Sequence, residues 1–223
     1  MILVLDLCFK ENSLSGYEFV HPVVDALRHA HAESESESES ESESEPKPEL
    51  KLKPEPEPDI MHFTEINESE LERYSGIVLC GTALKDNRYA ECMEFFTWIK
   101  SWEKPIIGIC AGMQVIACVF GGEIVPQQAI GLKEIEITVE TPLLGSIRKI
   151  EGYHLHNFGV TPPDGFRVVA VSQGSPAAFV HPQKPIYGTI FHPEVRNEWI
   201  LERFEKLVRK TTCPGQNPSS RIF

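Results

Sequence analysis

The chain has 223 residues, 41% of them hydrophobic, with 21 Lys+Arg against 33 Asp+Glu and a formal charge of −12. That length suits one domain with a full core, and the hydrophobic fraction excludes a chain disordered throughout. So negative a balance argues against nucleic acid as the main partner, and no apolar run approaches the ~18 residues of a membrane span, so no membrane partner is expected either.

Residues 2–7 (ILVLDL) form a short apolar run of the kind found in buried parallel strands. The run lacks a basic leader and a small-residue cleavage site, so it reads as a strand and not as a signal peptide. Residues 17–31 carry Phe19, Val23, Val24 and Leu27 at helical spacing. Residues 33–58 hold 10 Glu, 6 Ser, 5 Pro, 3 Lys and 2 Leu, with almost nothing to bury. This insert is expected to be disordered, extended in its Pro-rich half, and a passive solvated segment. It accounts for 3 − 10 = −7 of the charge, which leaves −12 + 7 = −5 for the rest.

A strand restarts at 60–63 (IMHF), and Asn67 with Glu70 three residues on predicts a short capped helix over 67–73. Residues 77–80 (IVLC) form a buried strand that ends at Gly81, and 90–102 read as an amphipathic helix. Pro105 opens a strand at Ile106 to Ile109, and an apolar helix over 112–120 closes at Gly121-Gly122. Strands follow at 134–139, 167–171 and 186–191, then a last helix at 196–209 and a loose tail at 211–223. No repeat of 20–50 residues occurs. Alternating short apolar strands and helices predict an α/β fold: an open, mostly parallel sheet with helices on both faces and a more β-rich second half. One domain over 1–210, interrupted by the insert, is expected. Helix-to-strand connections lie at the amino edge of such a sheet and ligands bind at the carboxyl edge, so the insert belongs on the side away from any active site.

The six cysteines (8, 80, 92, 110, 118 and 213) make no CxxC pair and no framework spacing, which points to a reducing cytoplasm and away from structural zinc; no metal ligand set is expected. One of them has a special setting. Gly108-Ile109-Cys110-Ala111-Gly112 joins an apolar strand to an apolar helix, as a G-x-nucleophile-x-G elbow does with Cys in place of Ser. Side chains two residues either side of such a turn would collide, hence the glycines. A helix N-terminus favours an anion such as thiolate, and the Ala111 N–H can face an oxyanion beside the sulfur. The other five cysteines read as core or inert thiols. Among eight histidines, His192 stands out in Phe191-His192-Pro193-Glu194, directly after a strand. Glu194 can orient the imidazole, which gives a Cys110–His192–Glu194 arrangement for nucleophilic catalysis.

Together GICAGMQ (108–114), GGE (121–123) and FHPE (191–194) resemble the class I glutamine amidotransferases, from about Ile2 to Leu207 apart from the insert. The resemblance implies a flavodoxin-like domain that hydrolyses the side-chain amide of glutamine and delivers ammonia to a synthetase. It implies Cys110 as the nucleophile that forms a γ-glutamyl thioester, His192 as general base and acid, and Glu194 as its orienting partner. It further implies an oxyanion hole from the N–H groups of Gly81 and Ala111, and Gln114 as a holder of substrate. His156-Asn157-Phe158-Gly159-Val160 resembles the family loop whose backbone holds the α-amino and carboxylate groups of glutamine. No cofactor is implied for the glutaminase half-reaction.

The chain departs from the family pattern in three places. Met113 stands where many members have His, Cys80-Gly81-Thr82-Ala83 lacks the usual Gly-Gly-Pro or Pro-Gly, and the His156 loop lacks the Asp of the GMP synthetase type. Even so, residues 162–172 and 185–195 look most like the separate glutaminase subunits of GMP synthetases. No G-x-x-x-x-G-K-[ST] loop or ATP-pyrophosphatase signature is present, so an acceptor would be activated by a synthetase subunit on another chain. A thiol hydrolase of γ-glutamyl compounds and an inactive regulatory or binding member of the fold stay open as alternatives.

Overall fold

The computed structural model describes residues 1–11, 13–39 and 57–212. Nine strands make one open sheet: β1 (Ile2–Asp6), β2 (Asp59–His62), β3 (Gly76–Leu79), β4 (Ile106–Ile109), β5 (Glu123–Ile137), β6 (Arg148–Thr161), β7 (Arg167–Ser172), β8 (Ser175–Val180) and β9 (Ile186–Thr189). Their order is β2-β1-β3-β4-β9-β8-β7-β5-β6. The first five in that order run parallel, in the 2-1-3-4-5 pattern of flavodoxin-like sheets, and the remaining pairings are antiparallel. The mixed, open sheet with a β-rich second half agrees with the fold expected from sequence.

The difference between the two halves follows from burial. Strands β1, β3, β4 and β9 are buried at every position, so both faces must be apolar and their sequences are continuous apolar runs. Strands β5 and β6 mostly alternate between covered and exposed positions, as a sheet wetted on one face does. Each fully buried Leu, Ile or Phe in the parallel core contributes about 1.5–3 kcal/mol.

Six α-helices accompany the sheet: α1 (Leu14–Phe19), α2 (His21–Glu39), α3 (Arg88–Glu91), α4 (Ala111–Val119), α5 (Pro193–Arg196) and α6 (Trp199–Thr212). Helices α2, α5 and α6 pack together on one side, while α4 packs on β3, β4 and β9 with the 3-10 segment Met93–Lys100 beside it. Helix α4 is buried almost all round, which explains why its sequence shows no polar face. Helix α6 buries Ile200, Leu201, Phe204 and Val208 as a stripe, and the Trp199 ring lies between the guanidinium groups of Arg148 and Arg203, 4.7 and 4.8 Å from its centre.

Several expected elements change shape. The single helix over 17–31 is two helices that meet at Val20, and the second continues to Glu39. Positions 33–39, expected to be disordered, are therefore helical. Once 21–30 is packed, each further residue costs no new nucleation, and Glu is a good helix former. Residues 40–56 and the tail from 213 onward lie outside the described residues. The helix expected over 67–73 is a 3-10 helix, Glu68–Arg73, capped by Asn67, whose side chain accepts from the Ser69 N–H at 3.2 Å. The helix expected over 90–102 is α3 plus the 3-10 segment. Strand β5 begins eleven residues before the predicted 134. Strand β2 starts at Asp59 opposite Leu3 in β1, at the amino edge of the sheet, and Cys110 follows β4 at the carboxyl edge.

Candidate active site

The elbow is present in the backbone. Cys110 sits between β4 and α4 at φ 50°, ψ −102°, one of two non-glycine residues with positive φ among the described residues. A side chain held there stores on the order of 1–3 kcal/mol of strain, which the surroundings must enforce. They do so by hydrogen bonds on both sides: the Cys110 N–H donates to the Thr189 carbonyl at 2.7 Å, and its carbonyl accepts from the Gln114 N–H at 3.2 Å. The glycines at 108 and 112 face each other across the turn. A Cβ on Gly108 would stand 2.4 Å from the Gly112 carbonyl carbon and oxygen, and a Cβ on Gly112 2.3 Å from the Leu79 oxygen. Ala111 is the first residue of α4, where a helix leaves its N–H groups without helical acceptors.

His192 and Glu194 come from the turn after β9. The His192 N–H donates to the Tyr153 carbonyl at 2.8 Å, and Pro193 starts α5. His192 Nδ1 and Glu194 Oε1 are 2.7 Å apart, with both side chains at most 2% exposed. Burial alone would push the imidazole pKa down. The Glu194 carboxylate and the Cys110 sulfur outweigh it and hold the imidazole well above its ordinary value. His192 Nε2 makes no hydrogen bond within the chain. The rings of Phe19 and Tyr153 flank the imidazole, at 5.9 and 6.4 Å between centres.

Gly81 follows β3 and touches both partners. A Cβ there would lie 2.7 Å from His192 Cε1, 3.4 Å from its Nδ1 and 3.5 Å from Cys110 Cβ. The loop after Gly81 lacks the Gly-Gly-Pro of the family pattern and is braced by other means. Thr82 Oγ1 donates to the Asp86 carbonyl at 3.0 Å, the Asp86 N–H to Ala83 O at 2.8 Å, and the Phe9 N–H to the Asp86 carboxylate. Replacement of Gly81 by Ala forces the imidazole off Cys110. The expected result is a fall in kcat of about 100-fold, as a displacement near 1 Å gives, read from steady-state ammonia release.

The 156–160 segment is not a loop. It is part of β6, a strand not expected from the sequence. Cys110 Sγ lies 3.7 Å from the Leu155 carbonyl, so β6 runs directly past the nucleophile. Between the pairs Pro126↔Phe158 and Ala129↔His156 the register shifts: Gln127 and Gln128 stand opposite Asn157 in a bulge. There Asn157 Nδ2 reaches the Leu84 carbonyl at 3.0 Å, tying β6 to the loop after Gly81, while its Oδ1 accepts from Gln128. His156 is buried and spent on its neighbours, Nδ1 on the Gln127 carbonyl at 2.9 Å and Nε2 on His154 Nδ1 at 3.0 Å. Only the backbone of this stretch is left for a substrate. Gln114 is likewise engaged at both ends of its amide: Nε2 donates to the Phe158 carbonyl at 2.8 Å and Oε1 accepts from the Tyr89 hydroxyl. Tyr89 and Leu155 carry no signal in the sequence, since one is a tyrosine in a short helix and the other contributes only its carbonyl.

His154, 1% exposed, has its pKa pushed down to about 4 by burial and by His156 and His192. The unfolded chain binds this proton near pH 6.5, and the folded chain does not until about pH 4. Stability is therefore lost as pH falls through that window, by about 3 kcal/mol for this group. His156, also pushed down by burial, acts in the same direction. His192 acts in the opposite sense: its raised value gives stability below pH 6.5 that is lost as pH rises through the folded pKa. Denaturant melts between pH 7 and 4 should show the loss, and His154→Gln should flatten it.

The remaining cysteines are poor rivals to Cys110. Burial pushes the thiols of Cys8, Cys80 and Cys118 up, and Cys92 is half-buried with no role at the site; Cys213 lies outside the described residues. Among the described residues no group of three or more His, Cys, Asp or Glu side chains is placed to hold a metal ion, and no helix is long and apolar enough to cross a membrane.

Comparison with known proteins gives consistent matches. The family model described as glutamine amidotransferase class-I matches residues 17–200. The chain is 32% identical over 151 residues to a glutamine-hydrolysing GMP synthase subunit of Sulfolobus acidocaldarius, covering 63% of this chain and 80% of that one. It is 34% identical over 157 residues to the corresponding subunit of Pyrococcus abyssi, covering 66% and 83%. A crystal structure of a GMP synthase subunit from Thermoplasma acidophilum superposes with a TM-score of 0.72 at 24% identity, over 94% of both chains, and supports the fold.

Proposed function

Because the chain belongs to the class I glutamine amidotransferases, we propose that it is a glutaminase subunit that hydrolyses the side-chain amide of glutamine and supplies ammonia to a synthetase on a separate chain. The observation that carries the reading is the strained Cys110 elbow with the buried His192–Glu194 pair and Gly81 packed against it. The Cys110 sulfur attacks the amide carbon, and the oxyanion rests on the N–H groups of Gly81 and Ala111. His192 protonates the departing nitrogen, so ammonia leaves and a γ-glutamyl thioester remains on Cys110. His192 then takes a proton from water, whose oxygen attacks the thioester and releases glutamate and the sulfur. Glu194 holds the imidazole in place and stabilises its charged form between the two steps. Gln114 and the backbone of 156–158 hold the α-amino and carboxylate groups of glutamine.

This half-reaction needs no metal or organic cofactor, because nucleophile, base and oxyanion donors all come from the chain. The likeness to these GMP synthase subunits supports GMP synthesis as the process served, in the cytoplasm. Incubation with glutamine should release glutamate and ammonia in equal amounts, and acid quenching should trap a γ-glutamyl adduct on the peptide that contains Cys110. An adduct on another residue, or turnover of γ-glutamyl peptides but not glutamine, would overturn the proposal.

A further inference from the structure

Tyr89 has no place in the mechanism above, yet it is buried against the residues that carry it. It lies in α3, 3% exposed, and its hydroxyl donates to Gln114 Oε1. Gln114 stands one helical turn after Cys110, is 2% exposed, and uses its Nε2 on the Phe158 carbonyl of β6. The direction of this chain is fixed by chemistry. A carbonyl only accepts, so the NH2 end of the amide must face Phe158. The oxygen end then faces Tyr89, which must donate. With Phe at position 89 the amide oxygen is buried without a donor, and the amide is free to turn and surrender Phe158.

We infer that Tyr89 is a positioning residue for glutamine binding: its hydroxyl orients the Gln114 amide, and through that amide sets the place of residues 155–158 of β6 beside Cys110. The inference rests on the reading of Cys110 as the glutaminase nucleophile. Strand β6 keeps its other supports, the β5 ladder and the Asn157–Leu84 bond, so losing one hydroxyl does not unfold it. What shifts is the cleft between α4 and β6. The chemistry of Cys110 and His192 depends on separate contacts, those with Thr189, Gly81 and Glu194.

The test is a double-mutant cycle in the full chain with Tyr89→Phe and Gln114→Leu, read by glutamine hydrolysis. Tyr89→Phe should raise KM about tenfold and change kcat by less than about threefold, as removal of binding without loss of transition-state contacts does. Alkylation of Cys110 by iodoacetamide, which needs no glutamine site, should keep its rate. In the Gln114→Leu background Tyr89→Phe should have no further effect on KM. An unchanged KM in Tyr89→Phe, or effects of the two substitutions that multiply, would overturn the inference and leave the glutaminase reading intact. A wild-type chain that releases no ammonia from glutamine overturns that reading, and the inference with it.

Discussion

Replacement of Cys110 by glycine or by alanine should stop ammonia release, with a loss of at least about 10⁴-fold, as removal of a nucleophile does. The two variants should then separate in an unusual order of stability. Ala normally exceeds Gly by about 0.5–1 kcal/mol, because glycine loses more backbone freedom on folding. At φ 50°, ψ −102° the order reverses. Alanine keeps the Cβ and with it the strain of on the order of 1–3 kcal/mol, while glycine releases it. Both variants lose the same sulfur, so packing cancels between them. Cys110→Gly should be more stable than Cys110→Ala by about 1 kcal/mol, the strain released less the entropy lost. Urea midpoints measure the difference directly. The usual order, Ala above Gly, would mean that the elbow is relaxed and that the turn contributes nothing to how the sulfur is presented.

Gly112→Ala should be the most damaging substitution of a single methyl group in the chain. The added carbon would stand 2.3 Å from the Leu79 oxygen, 2.7 Å from its Cβ and 2.9 Å from its carbonyl carbon. None of these can swing away. Leu79 is wholly buried in β3, whose neighbours β1 and β4 fix it on both sides. Helix α4 would have to lift from the sheet, and with it the apolar side chains of Met113, Val115 and Ile116. Overpacking in a rigid core costs typically 1–3 kcal/mol, and backbone-against-backbone contact lies at the top of that range, so a loss of about 3 kcal/mol or more is expected. Chemical denaturation reads the loss, and any folded fraction should also be inactive because Cys110 moves with the helix. At Gly81, by contrast, the obstructing atoms belong to a side chain, so the effect falls on turnover more than on folding.

The parts of this molecule that were legible in the sequence are those set by local chemistry. Residues 2–7, 77–80 and 106–109 announce buried strands because both of their faces must be apolar. The Cys110 elbow is visible because its glycines at 108 and 112 are required by sterics that act within five residues. His192 and Glu194 are two positions apart, so their pairing needs no knowledge of the fold. Strand β6 escaped because its pattern is broken: Gly152, His154 and His156 are buried polar or small residues where an ordinary half-wet strand would place aliphatic ones. Those histidines are tolerated through pairing with each other and with Gln127 across a bulge, which is a tertiary fact. The break at Val20 and the extension of α2 to Glu39 escaped for a similar reason. Composition suggests solvation for the Glu/Ser repeat, while a helix already packed at 21–30 carries its first residues along.

The insertion point has a practical meaning. Helix α2 reaches Glu39 and β2 begins at Asp59, and Asp59 is at the edge of the sheet remote from Cys110. Chain length between those two residues is decoupled from the geometry of the catalytic cleft. A fluorescent reporter or an affinity handle spliced between them would ride on the enzyme without touching its catalytic edge. The same junction offers a neutral tether for immobilising the protein with its cleft facing solution.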